Sequence, residues 1–219
     1  MTCDCWSEDI WKFIYVLARI SSFRENEEKA AFCTLILAIN SIISCNRIRQ
    51  EINSYMEQDK NNILAYMDSN ENLLMWVINF HNHYNLMFKN NIIISLDNIL
   101  LEFDPNKLTK DKWGPYVWKG IHFVLLQGRT EHSFCPLDVS IAMKAFITCT
   151  GIVLPCKKCR HHAWGYFSEH SIDEWLDTPL HAFQWSVHFH NFVTDHTNKS
   201  YQLHRPIFTP EEAILLYKK

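Results

Sequence analysis

The chain has 219 residues, 47% hydrophobic and 21% charged, a balance typical of a globular protein with one large domain or two smaller ones. Its formal net charge of −3, without any long basic run, gives no sign of nucleic-acid binding. No apolar run reaches the ~18 residues of a membrane span, and glycine motifs of dinucleotide-binding, kinase and P-loop proteins are absent. With an acidic start unlike a signal peptide, the sequence predicts a soluble, intracellular protein.

Glycine and proline are distributed unevenly along the chain. All five glycines and all seven prolines follow residue 104, so the first 104 residues lack the usual turn-forming residues and are predicted to be helical. Residues 1–104 carry 8 basic and 14 acidic side chains, whereas residues 105–219 carry 13 and 10. This more basic second half, with ten of the twelve histidines, suits an anionic small molecule.

Apolar periodicity predicts helices in both halves. In the first half they are expected at residues 8–20, 27–43, 47–58, 71–88 and 92–102. In the second half one helix carries Trp118, Ile121, His122 and Leu125 on one face, and others cover 138–154, begin at Pro155 or Cys156, and run from Pro179 to about His196. Thr209 before Pro210 is typical of a helix N-cap. The sequence therefore predicts an all-α fold.

The two halves repeat one pattern of aromatic, histidine and cysteine residues. Trp6, Trp11 and Tyr15 are matched at an offset of 107 by Trp113, Trp118 and His122. At an offset of 111, Cys156 and Tyr166 match Cys45 and Tyr55. At an offset of 109, the second half repeats Trp76, His81 and Asn82 as Trp185, His190 and Asn191. Because the order is kept, we predict two copies of one helical unit of about 100 residues, 1–104 and 105–219. A helical N-terminal domain with accidental tryptophan spacing is the alternative.

The most distinctive local motif is Pro155-Cys156-Lys-Lys-Cys159-Arg-His-His162. At a helix start its two sulfurs lie within disulfide reach, and the helix N-terminus with nearby cations favours thiolate. Three interpretations remain open: a redox-active pair, a zinc site completed by His161 or His162, and an inert pair. The sequence has no second CxxC for zinc, and Arg160 stands where covalent haem attachment requires histidine.

Aromatic and histidine residues of the second half are candidates for a cofactor pocket. Trp118 and His122 share one helix face, and Trp185, His190 and Asn191 share another. Taken singly, the tryptophans and His122 are ordinary core residues. Gathered around a CxxC, they would form an aromatic, hydrogen-bonding pocket suited to a planar redox cofactor.

Three segments carry a specific resemblance: Trp113-Gly-Pro-x-x-Trp118-x-x-Ile-His122, Pro155-Cys-x-x-Cys-x-His-His-Ala163 with Tyr166, and Phe183-x-Trp185-x4-His190-Asn191-x-Val193 followed by Asn198-Lys199. In their order and spacing, residues 113–199 resemble the Erv/ALR family of FAD-dependent sulfhydryl oxidases, particularly the short forms of large DNA viruses. The resemblance implies a helical bundle that binds FAD, and no metal ion, through Trp113, Trp118, His122, His162, Tyr166, Trp185, His190, Asn191, Val193 and Lys199.

The resemblance also implies a thiol-oxidase mechanism. A dithiol of a substrate protein exchanges with a Cys156–Cys159 disulfide by attack on Cys156. Cys159, the flavin-proximal sulfur, then passes two electrons to FAD, and oxygen reoxidises the flavin with formation of hydrogen peroxide. Family members often relay electrons through a second cysteine pair on a mobile tail. Cys3 and Cys5 are candidates for that relay, and two incidental thiols are the alternative.

The sequence departs from the family pattern mainly at the adenine end of the site. Thr194 replaces the last asparagine of HNxVN, and Phe208 or Tyr201 has to serve as the aromatic residue near the adenine. No cysteine follows Cys159, so the structural disulfide of cellular members is absent. Two other functions therefore stay open: a zinc-stabilised helical interaction module and a redox-inactive scaffold.

The first half lacks the chemistry of the second. Tyr15 replaces His122, and Ile48 stands where the second cysteine of the CxxC would be, so residues 1–104 are expected to be redox-inactive. Because Erv/ALR enzymes usually work as homodimers, the resemblance implies a pseudo-dimer within one chain, as in baculovirus-type enzymes, and leaves further pairing of two chains open. The remaining cysteines are expected to be buried thiols: Cys33, Cys45, Cys135 and Cys149. A viral enzyme would act in the host cytoplasm, the nucleus or the virion.

Overall fold

The computed structural model describes residues 6–88 and 92–217, and within these ranges it contains ten α-helices and no strand. The first half contributes α1 (Glu8–Ile20), α2 (Asn26–Ile43), α3 (Asn46–Met56), α4 (Asn70–Phe88) and α5 (Leu96–Glu102). The second contributes α6 (Lys110–Leu126), α7 (Leu137–Val153), α8 (Lys157–Glu169), α9 (Pro179–Tyr201) and α10 (Pro210–Tyr217). The predicted all-α class is confirmed. None of the described helices is both long and apolar enough to cross a membrane.

Two predicted helix boundaries are wrong, and side-chain contacts explain one of them. The helix expected at 92–102 begins only at Leu96, because the amides of Asn82 and Asn85 bind the backbone of Ile94 and Ile92. The helix expected to end near His196 continues to Tyr201.

The start of α10 matches its sequence signal. The Glu212 N–H donates to Thr209 Oγ1 over 3.2 Å, and the Thr209 N–H donates to Glu212 Oε2 over 2.8 Å. These reciprocal bonds form a capping box that satisfies backbone donors at the helix end. The predicted N-cap at Thr209 is therefore confirmed.

Corresponding helices of the two halves pack in corresponding ways. Helix α1 packs on α4 in the first half, and α6 packs on α9 in the second. Between the halves, α1 packs on α6 and α2 on α7, so each helix meets its own counterpart. Contacts between equivalent surfaces are what a two-fold axis produces in a symmetric dimer. The predicted pseudo-dimer of two helical units is thus confirmed, and the main hydrophobic core of the described residues runs through both.

A glycine allows a close approach between α1 and α6 of the two halves. A Cβ atom added to Gly120 of α6 would lie 2.4 Å from Phe13 Cβ of α1, closer than two carbon atoms can approach. The Phe13 ring also packs edge-on against Phe146 of α7, with 5.9 Å between centroids. Phe13 therefore packs α1 against two helices of the opposite half, α6 and α7.

A polar contact supports the same interface at its edge. The backbone N–H of Arg129 donates to the Ile42 carbonyl over 2.8 Å, and its Nε donates to the Ser41 carbonyl. The guanidinium also binds Asp138 over 2.6 Å. Arg129 thereby caps carbonyls at the end of α2 and ties them to the start of α7.

Candidate active site

A cavity of about 540 Å³ lies in the second half between the start of α6 and the middle of α9. Its size falls in the range of small-molecule sites. Six predicted site residues lie on its wall: Trp113, Trp118, Cys159, His190, Asn191 and Val193. The structure therefore brings a redox-motif cysteine to the same cavity as the predicted aromatic and hydrogen-bonding residues.

Trp118, His122 and His190 form a packed unit on this wall. Trp118 and His122 lie one turn apart on α6, and Trp118 stacks on His190 of α9 with 4.1 Å between centroids and 12° between planes. His122 Nε2 lies 3.1 Å from His190 Nδ1, and His122 Nδ1 lies 2.8 Å from Ser186 Oγ. His122 is buried directly behind His190 rather than on the cavity wall.

Burial keeps both histidines uncharged near neutral pH. Desolvation, with the neighbouring His190 adding to it, holds the pKa of His122 well below its usual value. Desolvation lowers the pKa of His190 from 6.5 to about 4. The cavity wall therefore presents a neutral imidazole.

These shifts predict how stability depends on pH. Between about pH 6.5 and 4 the unfolded chain binds protons at these histidines while the folded chain does not. The contribution of these two histidines to stability is therefore fully present above pH 6.5. It is lost as the pH drops, and the free energy of unfolding then falls by about 1.4 kcal/mol per unit of pKa difference. Urea denaturation across this range measures the slope. His190→Gln should reduce the slope, and the exposed His188→Gln should leave it unchanged; equal slopes in both variants would contradict the assignment.

The two cysteines of the CxxC differ in position. Cys156 is the N-cap of α8, and its Sγ accepts a hydrogen bond from the Cys159 N–H over 3.2 Å. Both are half-buried free thiols, and Cys159 reaches the cavity. Burial and the adjacent Cys156 thiol raise the pKa of Cys159 to about 12, although the Lys110 ammonium acts in the opposite direction. The thiolate character expected at the helix start therefore does not extend to Cys159, because partial burial disfavours the charged form of this thiol.

The zinc interpretation required His161 or His162 beside both cysteines. Among the described residues no group of three or more histidine, cysteine or carboxylate side chains is arranged to hold a metal ion. His162 instead lies against His196 of α9, with 5.8 Å between ring centroids. The geometry in the described part of the chain thus gives no support to a zinc centre at the CxxC.

The other predicted residues lie behind or beside the cavity. Tyr166 stacks on Phe189, whose side chain is on the wall, with 5.1 Å between centroids. Buried Trp185 donates from Nε1 to the His170 carbonyl over 3.0 Å. Lys199 is exposed and binds Asp195 over 2.6 Å. Tyr166 and Trp185 support the wall, whereas no contact joins Lys199 to the cavity in the described structure.

The segment that follows α9 also contributes to the wall, which the spacing of motifs did not predict. The amide of Asn191 donates to the Phe208 carbonyl over 2.7 Å and accepts from its N–H over 3.2 Å. Asn198 holds the Arg205 backbone in the same two-bond manner. Arg205 in turn binds Asp111, and both Arg205 and Phe208 line the cavity. The two asparagines therefore bring a cation and an aromatic ring to the site.

Phe208 and Tyr201 were the two candidates for an aromatic residue near an adenine. Phe208 lies on the cavity wall. Tyr201 is exposed, and the Lys158 ammonium lies 5.5 Å from its ring centroid. The wall also includes Tyr217 of α10, whose ring lies 5.4 Å from His122. The position of Phe208 favours it over Tyr201 for this contact.

The first half keeps the framework of this site. Trp11 stacks on His81 with 3.9 Å between centroids and 7° between planes, as Trp118 does on His190. Tyr15 Oη lies 2.6 Å from His81 Nδ1, in the position that His122 Nε2 takes in the second half. Asn82 makes two hydrogen bonds to the backbone of Ile94, as Asn191 does to Phe208. The sequence repeat is therefore also a repeat of contacts.

Large side chains occupy the corresponding space in the first half. Val193 and Thr197 line the cavity, and at an offset of 109 their counterparts are Tyr84 and Phe88, whose rings lie 5.1 Å apart. The counterpart of Trp113 is Trp6, which is fully buried and packs on Tyr84 at 6.2 Å. These aromatic rings fill the volume that the second half leaves open.

The remaining cysteines lie apart from the CxxC. Cys149 is buried, and Cys33, Cys45 and Cys135 are half-buried; all four are free thiols. Burial raises the pKa of Cys33, Cys135 and Cys149 to about 11. Cys3 and Cys5, the candidate electron relay, lie outside the described residues.

Comparison with known proteins agrees with the repeat. The model of the Erv1/Alr family matches the chain twice, over residues 8–114 and 115–208. Over 96 residues the chain is 28% identical to "Putative FAD-linked sulfhydryl oxidase 096R" of Invertebrate iridescent virus 3. That match covers 44% of this chain and 63% of the viral protein, so the chain spans less than two thirds of its relative's length. No solved structure matches the chain.

Proposed function

The chain belongs to the Erv1/Alr family and contains two copies of its unit, and on this basis we propose that it is an FAD-linked sulfhydryl oxidase. In this proposal residues 105–219 are the catalytic domain and residues 1–104 a redox-inactive one. The observation that carries the proposal is the position of Cys159 on the wall of an aromatic cavity of about 540 Å³.

The residues of the cavity fit FAD. Trp113 and Trp118 offer apolar faces to a planar ring system, and His190 and Asn191 offer hydrogen bonds. Cations on the wall suit a diphosphate: Lys110, Lys119 and Arg205. When bound, FAD supplies a two-electron acceptor that oxygen reoxidises with release of hydrogen peroxide.

The cysteine pair would perform the exchange with substrate. Starting from a Cys156–Cys159 disulfide, a substrate thiolate attacks Cys156 Sγ and forms a mixed disulfide, and the released Cys159 sulfur takes up the proton that the substrate thiol gave up. A second substrate thiol then attacks the substrate sulfur of the mixed disulfide and releases Cys156. The substrate has lost two electrons and two protons, and both now reside in the Cys156–Cys159 dithiol, whose Cys159 end faces the cavity.

The partners of this reaction are protein dithiols and oxygen, and we propose none among nucleic acids or membranes. Helices α1 and α2 already pack on α6 and α7, so any pairing of two chains would use other surfaces. For an enzyme of a virus, the site of action would be the host cytoplasm, the nucleus or the virion.

Oxygen consumption tests the proposed activity. With a reduced protein as substrate, the purified chain should consume one oxygen molecule and release one hydrogen peroxide molecule per disulfide formed. Catalase should halve the net oxygen uptake. A folded chain that carries one zinc ion, no flavin and no oxidase activity would favour the interaction-module alternative and contradict the proposal.

The filled cavity of the first half predicts one FAD per chain. Measuring the flavin released on denaturation against protein concentration gives the ratio directly. Val193→Tyr would place the first-half side chain in the second-half cavity and should expel the cofactor, because Tyr84 occupies that position where the space is filled. The matched Val193→Ile should keep it. A ratio of two, or full occupancy in Val193→Tyr, would contradict this assignment.

A further inference from the structure

Ser186 joins two histidines and a carbonyl into one hydrogen-bonded chain. Its Oγ lies 2.6 Å from the Phe183 carbonyl oxygen on its own helix and 2.8 Å from His122 Nδ1. His122 Nε2 lies 3.1 Å from His190 Nδ1. Ser186 and His122 are both buried, so water does not compete for these bonds.

The distances fix where each hydrogen lies. Two oxygens 2.6 Å apart need a hydrogen between them, and Ser186 alone carries one, so its hydroxyl donates to the Phe183 carbonyl. Ser186 Oγ then accepts from His122 Nδ1–H. A neutral His122 has no second hydrogen, so its Nε2 accepts from His190 Nδ1–H.

The last member of the chain faces the cavity. With its hydrogen on Nδ1, neutral His190 carries a bare Nε2 on the ring edge away from His122. Stacking on Trp118 holds the plane of this ring, and His190 lies on the cavity wall. A hydrogen-bond acceptor of fixed direction is therefore available to a ligand.

The first half provides an internal comparison. The counterpart of Ser186 is Val77 at the offset of 109, and the counterpart of His122 is Tyr15 at the offset of 107. The tryptophan–histidine stack survives there, but Tyr15 contacts His81 directly and Val77 has no polar side-chain atom. The two positions that precede the histidine in the hydrogen-bonded chain, those of Ser186 and His122, are thus occupied by other residues in the half whose cavity is filled.

We propose that Ser186 is a positioning residue that sets the tautomers of His122 and His190 and thereby presents His190 Nε2 to the cavity as a hydrogen-bond acceptor. The ligand group that it recognises is an N–H or O–H donor. If the proposed function holds, this donor belongs to FAD, whose ring system and ribityl chain carry both kinds.

Nitrogen NMR of the full chain labelled with ¹⁵N-histidine tests the tautomers without turnover. The signals are assigned with His122→Gln and His190→Gln. In the wild type, Nδ1 should carry the hydrogen in both rings. In Ser186→Val, the Nδ1–H of His122 loses its acceptor, so His122 should carry its hydrogen on Nε2 instead and donate it to His190 Nδ1. The hydrogen of His190 should then move to its own Nε2. Ser186→Thr keeps a hydroxyl and should keep the wild-type pattern; Ser186→Ala provides a second deletion if the valine variant does not fold.

Ligand affinity provides the second measurement. Replacing an acceptor by a donor at the wall should raise the dissociation constant of FAD about tenfold in Ser186→Val, and Ser186→Thr should restore it. Unchanged tautomers in the folded valine or alanine variant would overturn the proposal, even if affinity fell. If the wild-type chain binds no FAD, the proposed function fails, whereas the tautomer pattern still decides the role of Ser186.

Discussion

Replacing Cys156 by serine is expected to lower the rate of thiol oxidation roughly 1,000-fold or more while FAD stays bound. Serine forms no disulfide, so the mixed disulfide with substrate has no partner sulfur. The cavity wall includes Cys159 but not Cys156, so the change leaves the cofactor contacts in place. Oxygen uptake with a protein dithiol measures the rate, and the visible spectrum measures retained flavin.

Cys45→Ser is the matched control for this variant. Cys45 is the counterpart of Cys156 and likewise the N-cap of its helix, α3, but Ile48 stands where the second cysteine would be. Its removal should leave turnover unchanged. Turnover that survives in Cys156→Ser, or is lost in Cys45→Ser, would contradict the assignment of the redox pair to the second half.

Replacing Phe13 by alanine is expected to lower the free energy of unfolding of the whole chain by about 3–5 kcal/mol. Phe13 is fully buried in the first half yet contacts Gly120 and Phe146 of the second, so its removal opens a cavity between the halves. Urea denaturation followed by circular dichroism measures the loss. Because one core joins both halves, the transition should remain single.

A double-mutant cycle isolates the contact between the halves. Gly120→Ala alone should cost about 1–3 kcal/mol, since its methyl group would meet Phe13. In the Phe13→Ala background the same change should cost less, because the ring atoms at 2.5 and 3.0 Å are gone and only the contact with the Cβ atom at 2.4 Å remains. Gly165→Ala is the control: nothing lies within 4 Å of its Cβ position, so alanine should be neutral or stabilising by up to about 1 kcal/mol. Additive effects of the first two changes would contradict this packing.

The helices and their order followed from local sequence, but the meaning of the glycines did not. Four of the five glycines lie inside helices rather than in turns: Gly114, Gly120, Gly151 and Gly165. Added Cβ atoms at Gly120 and Gly151 would meet Phe13 and Phe167. Close packing between distant segments, which local pattern does not encode, explains these two glycines.

The candidate site could be predicted in part, because local spacing indicates which residues share a helix face. Trp118 and His122 lie four residues apart, so their shared helix face was visible in the sequence. Trp185 and His190 lie five residues apart and do not share a face: His190 is on the cavity wall, whereas Trp185 is buried behind it. Arg205 and Phe208 follow the end of α9, where the amides of Asn198 and Asn191 bind their backbone, and such contacts leave no periodic signal. Of the two residues, the resemblance indicated Phe208 alone.

One feature of the site was visible in the sequence but missed. The offset of 109 places Tyr84 on Val193 and Phe88 on Thr197, and this increase in side-chain volume indicates a filled cavity in the first half. The same offset places Val77 on Ser186. Reading the repeat for differences in size and polarity, as well as for matches, would have revealed both.

The most direct test of FAD-linked thiol oxidation is the visible absorption spectrum of the purified full chain during anaerobic titration with dithiothreitol. The expected result is a yellow protein whose flavin absorbance disappears as the dithiol is added and returns on admission of air. A folded, colourless chain, or a bound flavin whose absorbance the dithiol leaves unchanged, would contradict the proposed function.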